Sequence, residues 1–251
     1  MNTKWEVAGG SGIGHAHVAA GRNNQDAFCW TSDSDWLVAV VCDGCGSGPR
    51  SEVGAQIGSR LVVHAAGRWL RSGLDGSQLL EQVRQDVLAS LRLLARDMSI
   101  DQASFSQTVA DHFLFTVVGV VITAREATTF SLGDGLVVIN GERSQLGPFP
   151  NNAPPYLGYA LLPCAPGQGM SEGLSFNVHR SVAASGVQSL VLGTDGAGDL
   201  DPLSQFWSDD RVFKNADMIR RRLAVLNRGP RRRLLSDDTT LVVVRRKAAE
   251  S

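Results

Sequence analysis

The sequence predicts an α+β fold, a four-layer α/β/β/α sandwich with two central antiparallel sheets and helices outside. Two observations indicate this class. Two amphipathic helical segments come before a block of short, closely spaced strand-like runs, and a further helix and strand close the chain. Strands so close in sequence pair antiparallel, and sheets with apolar faces pack on each other beneath outer helices.

The bulk composition fits one domain over residues 1–251. A chain of 251 residues with 43% hydrophobic content can bury a substantial core. Its net charge of -1 gives no general attraction to nucleic acid or to an anionic membrane. The longest apolar run, 113–123, is about half the roughly 20 residues of a membrane-spanning helix. No secretory signal pattern opens the sequence, so we expect a cytoplasmic protein.

The first predicted elements are a buried strand and two helices. Residues 36–42, WLVAVVC, are apolar and rich in Val, and they end at an Asp-Gly turn. Apolar residues at helical spacing then predict a helix over 52–70 and a second helix with its stripe over 80–94. Asp75 or Ser77 is placed to cap the start of the second helix.

The later part of the chain is predicted to be mostly strands. Strands are expected at 113–123, 127–132, 136–140, 189–192 and 239–245, with a helix at 216–226. Residues 147–173 are rich in Pro, Gly and Asn, which favour turns and interrupt sheet ladders. We therefore expect a long surface loop there.

Four aspartate-containing turns directly adjoin strand-like runs. They are NQDAF at 24–28, CDGCG at 42–46, GTDG at 193–196 and SDDT at 236–239. Strand ends that meet at one edge of a sandwich can hold carboxylates at the fixed separations that Mg²⁺ or Mn²⁺ requires. Two such ions about 3.5–4 Å apart can acidify a bridging water and stabilise a phosphoryl group under attack. Any one of these turns, taken alone, is most simply a turn with glycine supplying positive φ.

Five motifs in order resemble the metal-dependent protein phosphatase family, type 2C, in its compact single-domain, bacterial-like form. They are GIGH with GRNNQDAF within 12–28, VCDGCGSG at 41–48, SLGDG at 131–135, LGTDG at 192–196 and DDTTLVVV at 237–244. Together they extend over nearly the whole chain. The resemblance implies a hydrolase that removes phosphate from serine and threonine side chains of proteins, by attack of a water shared between two Mn²⁺ or Mg²⁺ ions.

The resemblance also implies roles for individual residues at two metal positions. Asp43 would bridge both ions, and the backbone carbonyl of Gly44 would complete one site. Asp195 and Asp237 would bind the second ion. Asp26 would belong to the metal site by orienting a metal-bound water.

A third, weaker metal ion is implied by the aspartate of the SLGDG motif. Asp134 would hold it together with Asp195. Of the neighbouring pair Asp237 and Asp238, the second aligns with a position that is often Asn, which makes it the less expected ligand. Its simpler role would be a turn cap to Thr240.

Three positions depart from the family pattern. Gln25 stands where many members have Glu, so one negative charge near a metal-bound water is absent. Arg22, the expected phosphate-binding residue, lies three rather than four positions before it, and His15 is an alternative phosphate contact. Cys45 stands where some members have a histidine that could protonate the leaving alcohol, and a thiol replaces it poorly. Metal-bound water or His15 would then serve instead.

Two alternative functions follow from these departures and from the long loop. The first is a phosphoprotein-binding scaffold of the same fold with weak or no turnover. The second is a phosphatase for non-protein phosphate esters, since selectivity in the family lies largely in variable loops such as 147–173. For the main hypothesis, the expected partners are phosphorylated protein substrates and a separately encoded serine/threonine kinase.

Overall fold

The structure, a computed structural model, describes residues 4–163, 174–228 and 235–247, without the side chains of Asn152 and Arg228. Its strands are β1 Trp5–Gly12, β2 Asp26–Ser32, β3 Leu37–Asp43, β4 Val117–Ile122, β5 Glu126–Leu132, β6 Gly135–Ile139, β7 Glu142–Leu146, β8 Asn177–Ala183, β9 Ser189–Gly193 and β10 Thr239–Arg246. Its helices are α1 His15–Ala20, α2 Ser51–Arg71, α3 Gly76–Asp97, α4 Gln102–His112, α5 Arg211–Lys214 and α6 Met218–Arg228.

The strands form two five-stranded antiparallel sheets. The first sheet has the order β1-β10-β9-β6-β7, and the second has the order β2-β3-β4-β5-β8. In both sheets every neighbouring pair is antiparallel. The last strand of the chain therefore lies inside the first sheet, between β1 and β9.

Side chains of the central strands point alternately to the two faces of each sheet, and apolar residues on both faces pack the layers together. In β3, Leu37, Ala39 and Val41 join the buried cluster between the two sheets, whereas Val38 and Val40 join the cluster beneath the helices. Helices α2, α3 and α4 cover the outer face of the second sheet. Helices α5 and α6 cover the outer face of the first sheet. The predicted α/β/β/α sandwich is confirmed.

Most predicted elements are present, with two corrections. The strand expected over 113–123 begins only at Val117, because Phe113 still caps α4 and Thr116 donates from its backbone N–H to Asp43. Asp75 does stand at the N-cap of α3, but its side chain makes no capping hydrogen bond and instead pairs with Arg125 at 2.8 Å. The predicted cap interaction is therefore wrong.

The expected loop at 147–173 is described only as far as residue 163. Its described part contains two short 3-10 turns, at Pro150–Asn152 and Leu157–Leu161, and no strand. Leu157 is fully buried and Tyr156 nearly so, packed in the cluster beneath the helices. This part of the loop is thus anchored to the core rather than lying on the surface. Residues 164–173 lie outside the described part of the chain.

None of the helices in the described ranges is both long and apolar enough to cross a membrane. The longest, α2 and α3, are amphipathic helices with polar outer faces. They bury one side against the second sheet and against each other.

Candidate metal centre

One edge of the sandwich collects the ends of several strands. Asp43 is the last residue of β3 and pairs directly with Asp26, the first residue of β2. Asp195 follows the end of β9, and Asp134 lies in the tight turn from β5 to β6. Asp237 lies just before β10, which pairs with β9. Five separate stretches of sequence thus deliver a carboxylate to the same edge.

The charges of the other four aspartates all act on Asp43. The pKa of the Asp43 carboxyl is raised well above its usual range, first by burial and then by the charges of Asp26, Asp195, Asp237 and Asp134. Like charges held together in a buried site favour protonation unless a cation neutralises them.

Asp26 is the most deeply placed of the aspartates that flank Asp43. Its side chain is 6% exposed, and Oδ2 accepts a hydrogen bond of 2.7 Å from the hydroxyl of Thr194. Burial, the largest cause, raises the pKa of Asp26 to about 8, against the opposing effect of the Thr194 hydrogen bond. Thr194 also accepts from the backbone N–H of Thr240, so this hydroxyl joins β9, β10 and β2.

Asp134 and Asp195 form a second pair within the cluster. Asp134 is 5% exposed, and burial followed by the charge of Asp195 raises its pKa to about 6. The pKa of Asp195 is raised by burial and then by the charge of Asp237. The charge of Asp195 therefore acts on Asp134, the residue that the resemblance assigned with it to a third ion.

Several buried oxygen atoms at this edge have no hydrogen-bond partner among the described residues. They are Oδ1 of Asp26, Oδ1 of Asp195 and Oε1 of Gln25, together with the hydroxyl of Ser51. The amide oxygen and the ionised carboxylate oxygens can only accept, so in that state they require a cation or an ordered water. Oxygen ligands of this kind suit Mg²⁺ and Mn²⁺. The residues present fit a centre for divalent cations.

Gly44, the residue after Asp43, is closely surrounded by other backbone and side-chain atoms. A Cβ added there would lie 2.8 Å from the hydroxyl of Ser51 and 2.9 Å from the backbone oxygen of Gln25. Its backbone N–H donates to that same oxygen at 3.1 Å. The glycine is therefore required by close approach of the backbone, which fixes the peptide beside the carboxylates.

Asp238 does not have the role expected for it as a turn cap. It is 2% exposed and accepts from the backbone N–H groups of Gly14 at 2.7 Å and Gln25 at 2.6 Å. Its Oδ2 also lies 2.7 Å from Nδ1 of His17. The backbone N–H of Thr240 bonds to Thr194 instead. Asp238 thus joins the turn before β10 to helix α1 and to the segment leading into β2.

Asp237 has a different environment from its neighbour. It is exposed, and its Oδ1 accepts from the backbone N–H of Asp238 at 2.8 Å. Its charge acts on Asp43 and Asp195, whereas the charge of Asp238 acts on Asp26. Of the pair, Asp237 is the one whose charge acts on Asp43, the expected bridging residue.

The predicted phosphate contacts lie on the first connection of the chain. Arg22 donates from Nη1 to the backbone oxygen of Gly46, which places its guanidinium over the loop after Asp43. His15 is exposed at the start of α1, and its ring makes no hydrogen bond or ion pair within the described ranges. Gln25 donates from Nε2 to the oxygen of Gly48 at 3.0 Å.

The thiol of Cys45 is turned into the core beneath the helices. It is 7% exposed, and Sγ lies 3.1 Å from the hydroxyl of Ser47. Burial raises its pKa, but hydrogen bonds from Ser47, Tyr156 and nearby backbone groups outweigh that effect and lower it. A thiol so engaged is poorly placed to protonate a leaving alcohol.

Comparison with known proteins identifies the family. Residues 13–228 match the sequence profile described as "Protein phosphatase 2C". The chain belongs to the protein phosphatase 2C family. It is therefore a metal-dependent serine/threonine protein phosphatase, and the relationship indicated by the five motifs is confirmed. No curated protein sequence matches the chain.

Solved structures show the same phosphatase 2C fold at low sequence identity. Serine/threonine phosphatase Stp1 from Staphylococcus aureus is 14% identical with a TM-score of 0.61, covering 99% of this chain and 97% of that one. The catalytic domain of PstP, in complex with two manganese ions, is 16% identical with a TM-score of 0.54, covering 96% and 97%. RsbX, in complex with magnesium, is 14% identical with a TM-score of 0.52, covering 98% of each chain.

Two contributors to this phosphatase site were missed in the sequence. Thr194 holds Asp26, although it stands inside the recognised LGTDG motif. His17 pairs with a carboxylate 221 positions away, a contact that no local spacing reveals. The signal available for His17 was only its place between two recognised segments, GIGH and GRNNQDAF.

Proposed function

We propose that this chain hydrolyses phosphoserine and phosphothreonine in proteins at the cluster of Asp26, Asp43, Asp134, Asp195 and Asp237. The observation that carries the proposal is the convergence of these carboxylates with buried, unpartnered oxygens of Asp26 and Asp195. When bound, two divalent cations would supply an acidified water as the nucleophile and neutralise charge on the phosphoryl group.

Each residue of the proposed metal centre has a distinct role. Asp43 would hold both cations, and the carbonyl of Gly44 would complete the first position. Asp195 and Asp237 would hold the second cation, and Asp134 with Asp195 would provide a weaker third position. Asp26 is fixed by its hydrogen bond from Thr194 and would orient the water that the cations supply.

Phosphate recognition falls to the segment before β2. Arg22 is within reach of the loop after Asp43, where a guanidinium can pair with two phosphate oxygens. His15, exposed on the first turn of α1, is the second candidate contact. Cys45 takes no part because its thiol is buried among apolar side chains.

The test is release of phosphate from a phosphothreonine peptide by metal-stripped protein, with and without Mn²⁺. We expect manganese-dependent turnover that Asp195→Asn abolishes while the fold persists. Asp97→Asn, at an exposed position on α3 away from the cluster, is the matched control and should keep full activity. Binding of Mn²⁺ without turnover on any phosphopeptide would favour the scaffold alternative.

A panel of substrates separates the protein phosphatase from a phosphatase of small esters. Phosphoserine and phosphothreonine peptides should give higher kcat/KM than sugar or nucleoside monophosphates. Exchange of residues in the 147–163 segment that keeps the core residues Tyr156 and Leu157 should change KM more than kcat. The reverse preference for small esters would refute the protein substrate.

We further propose a cytoplasmic signalling role, in which a serine/threonine kinase phosphorylates the proteins that this enzyme dephosphorylates. Cys29, Cys42 and Cys45 are free thiols, which suits a reducing compartment. Cell fractionation and phosphoproteomics of a deletion strain would test it. Accumulated phosphosites in soluble cytoplasmic proteins would support the role, and an unchanged phosphoproteome would refute it.

A further inference from the structure

The ring of His17 lies beside the predicted metal ligands without any role assigned so far. A ring nitrogen of His17 and one carboxylate oxygen each from Asp237 and Asp238 lie within 4.8 Å of one another. Two ligands about 2.1 Å from one octahedral ion lie roughly 3–4.2 Å apart, so an ion held by Asp237 would lie close to the ring of His17. The His17 side chain is 14% exposed, which leaves a path for an ion.

The partners of Asp238 decide which nitrogen of His17 is available. Oδ1 of Asp238 accepts from the backbone of Gly14, and Oδ2 accepts from the backbone of Gln25 and contacts Nδ1 of His17. A carboxylate that receives these N–H groups acts as an acceptor, so Nδ1 carries the proton and donates it. In the neutral ring, Nε2 then carries the lone pair. A histidine oriented by a carboxylate in this way is the usual arrangement of a metal-binding imidazole.

The position of the ring relative to Asp237 is fixed by the backbone. A Cβ on Gly14 would lie 2.2 Å from the carbonyl carbon of Asp237, so the start of α1 passes directly over that residue. The backbone N–H groups of the next two residues, 15 and 16, donate to the oxygens of Leu235 and Ser236. Helix α1 and the turn 235–238 therefore form one unit.

The residues that surround Asp238 carry two of the unpartnered oxygens of the proposed metal centre. Gln25, whose backbone donates to Asp238, has a buried Oε1 with no partner among the described residues. Asp26, on which the charge of Asp238 acts, has a buried Oδ1 in the same condition. Both side chains are more than nine-tenths buried.

We propose that His17 supplies an imidazole nitrogen to the cation held by Asp237, and that Asp238 orients the ring through Nδ1. This inference rests on the proposed metal centre and adds a nitrogen to its oxygen ligands. Imidazole is a better ligand for Mn²⁺ and later transition metals than for Mg²⁺, which prefers oxygen. His17 therefore gives the position at Asp237 a preference for a transition metal.

The test is pulsed electron paramagnetic resonance of the Mn²⁺-loaded protein, which detects a directly coordinated nitrogen without any turnover. We expect ¹⁴N coupling to Mn²⁺ that changes to a ¹⁵N coupling when histidine alone is ¹⁵N-labelled. The coupling should vanish in His17→Asn, whose amide retains a donor for Asp238. His15→Asn, two residues away on the same helix, should keep it.

Calorimetric titration gives the second readout. His17→Asn should weaken Mn²⁺ binding at least about tenfold, the size typical for changes around a metal-binding histidine, and weaken Mg²⁺ binding less. Mn²⁺ bound normally with no histidine coupling, or with coupling unchanged in His17→Asn, would overturn the role of His17 and leave the phosphatase proposal intact. Failure of the parent protein to bind Mn²⁺ would overturn both.

Discussion

Replacing Asp26 by Asn should stabilise the metal-free protein while abolishing its activity. In the folded chain burial raises the pKa of Asp26 to about 8 from the ordinary value of 3.8. A carboxyl with a raised folded pKa binds its proton more tightly when folded, so the stability it contributes below about pH 4 is lost as the pH rises to 8. The two values differ by about 4, equivalent to roughly 5 kcal/mol at pH 8.

The variant should recover only part of that free energy. Asn keeps an oxygen to accept from Thr194 and places an amide where Asp26 has an unpartnered oxygen, near the Asp43 and Asp195 carboxylates. Allowing for local relaxation, we expect a gain of about 2–3 kcal/mol at pH 8. For a chain of this length that raises Tm by about 5–10 °C.

Differential scanning calorimetry in excess chelator, at pH 5 and pH 8, measures the effect. The gain should be largest at pH 8 and fall to about a third of that at pH 5, where the folded carboxyl is protonated but the unfolded one is already ionised. Asp97→Asn, with an exposed side chain on α3, should show no gain at either pH. An unchanged or lower Tm for Asp26→Asn at pH 8, or an equal gain at both pH values, would refute the reasoning.

Three further predictions concern the same edge of the sandwich. Saturating Mn²⁺ should raise Tm more at pH 8 than at pH 5, because ionised carboxylates bind the cation, with about 2.7 kcal/mol expected at 100 times Kd by calorimetry. Gly44→Ala should lose about 1–3 kcal/mol in urea unfolding because its Cβ would lie 2.8 Å from a hydroxyl oxygen, whereas Gly46→Ala, with open space around it, should be near neutral. Thr194→Val should lower the free energy of unfolding by about 1–3 kcal/mol and remove most activity. It deletes the hydroxyl that donates to Asp26 and accepts from the backbone N–H of Thr240. Wild-type stability in urea would contradict this.

The sequence predicted the central strands and the long helices because their apolar residues repeat with a clear period. Strand β1 was not predicted because it contains Gly9 and Gly10, and glycine has a low strand propensity. The structure explains them: a Cβ on Gly9 would lie 2.6 Å from the ring of Phe28, and a Cβ on Gly10 would lie 2.7 Å from α6 at Ile219. Close packing thus requires glycine at these two positions, where an apolar or β-branched residue would have indicated a strand.

Two helices gave too little pattern to be recognised. Helix α1 has six residues, and none of them is buried, so no apolar stripe exists to detect. Helix α4 buries only Phe105 and Val109, although its capping box of Asp101 and Ser104 was readable in the sequence. A helix that buries no residue, or only one or two, has too few apolar residues to show a helical repeat in the sequence.

The candidate site was predictable as a set of carboxylates but not as a network. Asp43 and Asp195 each directly follow or end a strand, so local sequence places them at an edge. The contacts of Asp238 depend on residues more than 200 positions away, Gly14, His17 and Gln25. Such pairing follows from sheet topology, which the local pattern does not encode.

The position of β10 between β1 and β9 has a consequence for how the chain is made. Gly14 and Asp238 are 224 positions apart, so at about 5–20 residues per second the N-terminal half of the site waits roughly 10–45 s for its partner to be synthesised. During that interval β1 has no neighbour, and its glycines weaken its tendency to pair with another chain. The full set of five carboxylates is therefore assembled only when β10 has joined the sheet, because Asp237 lies just before that strand.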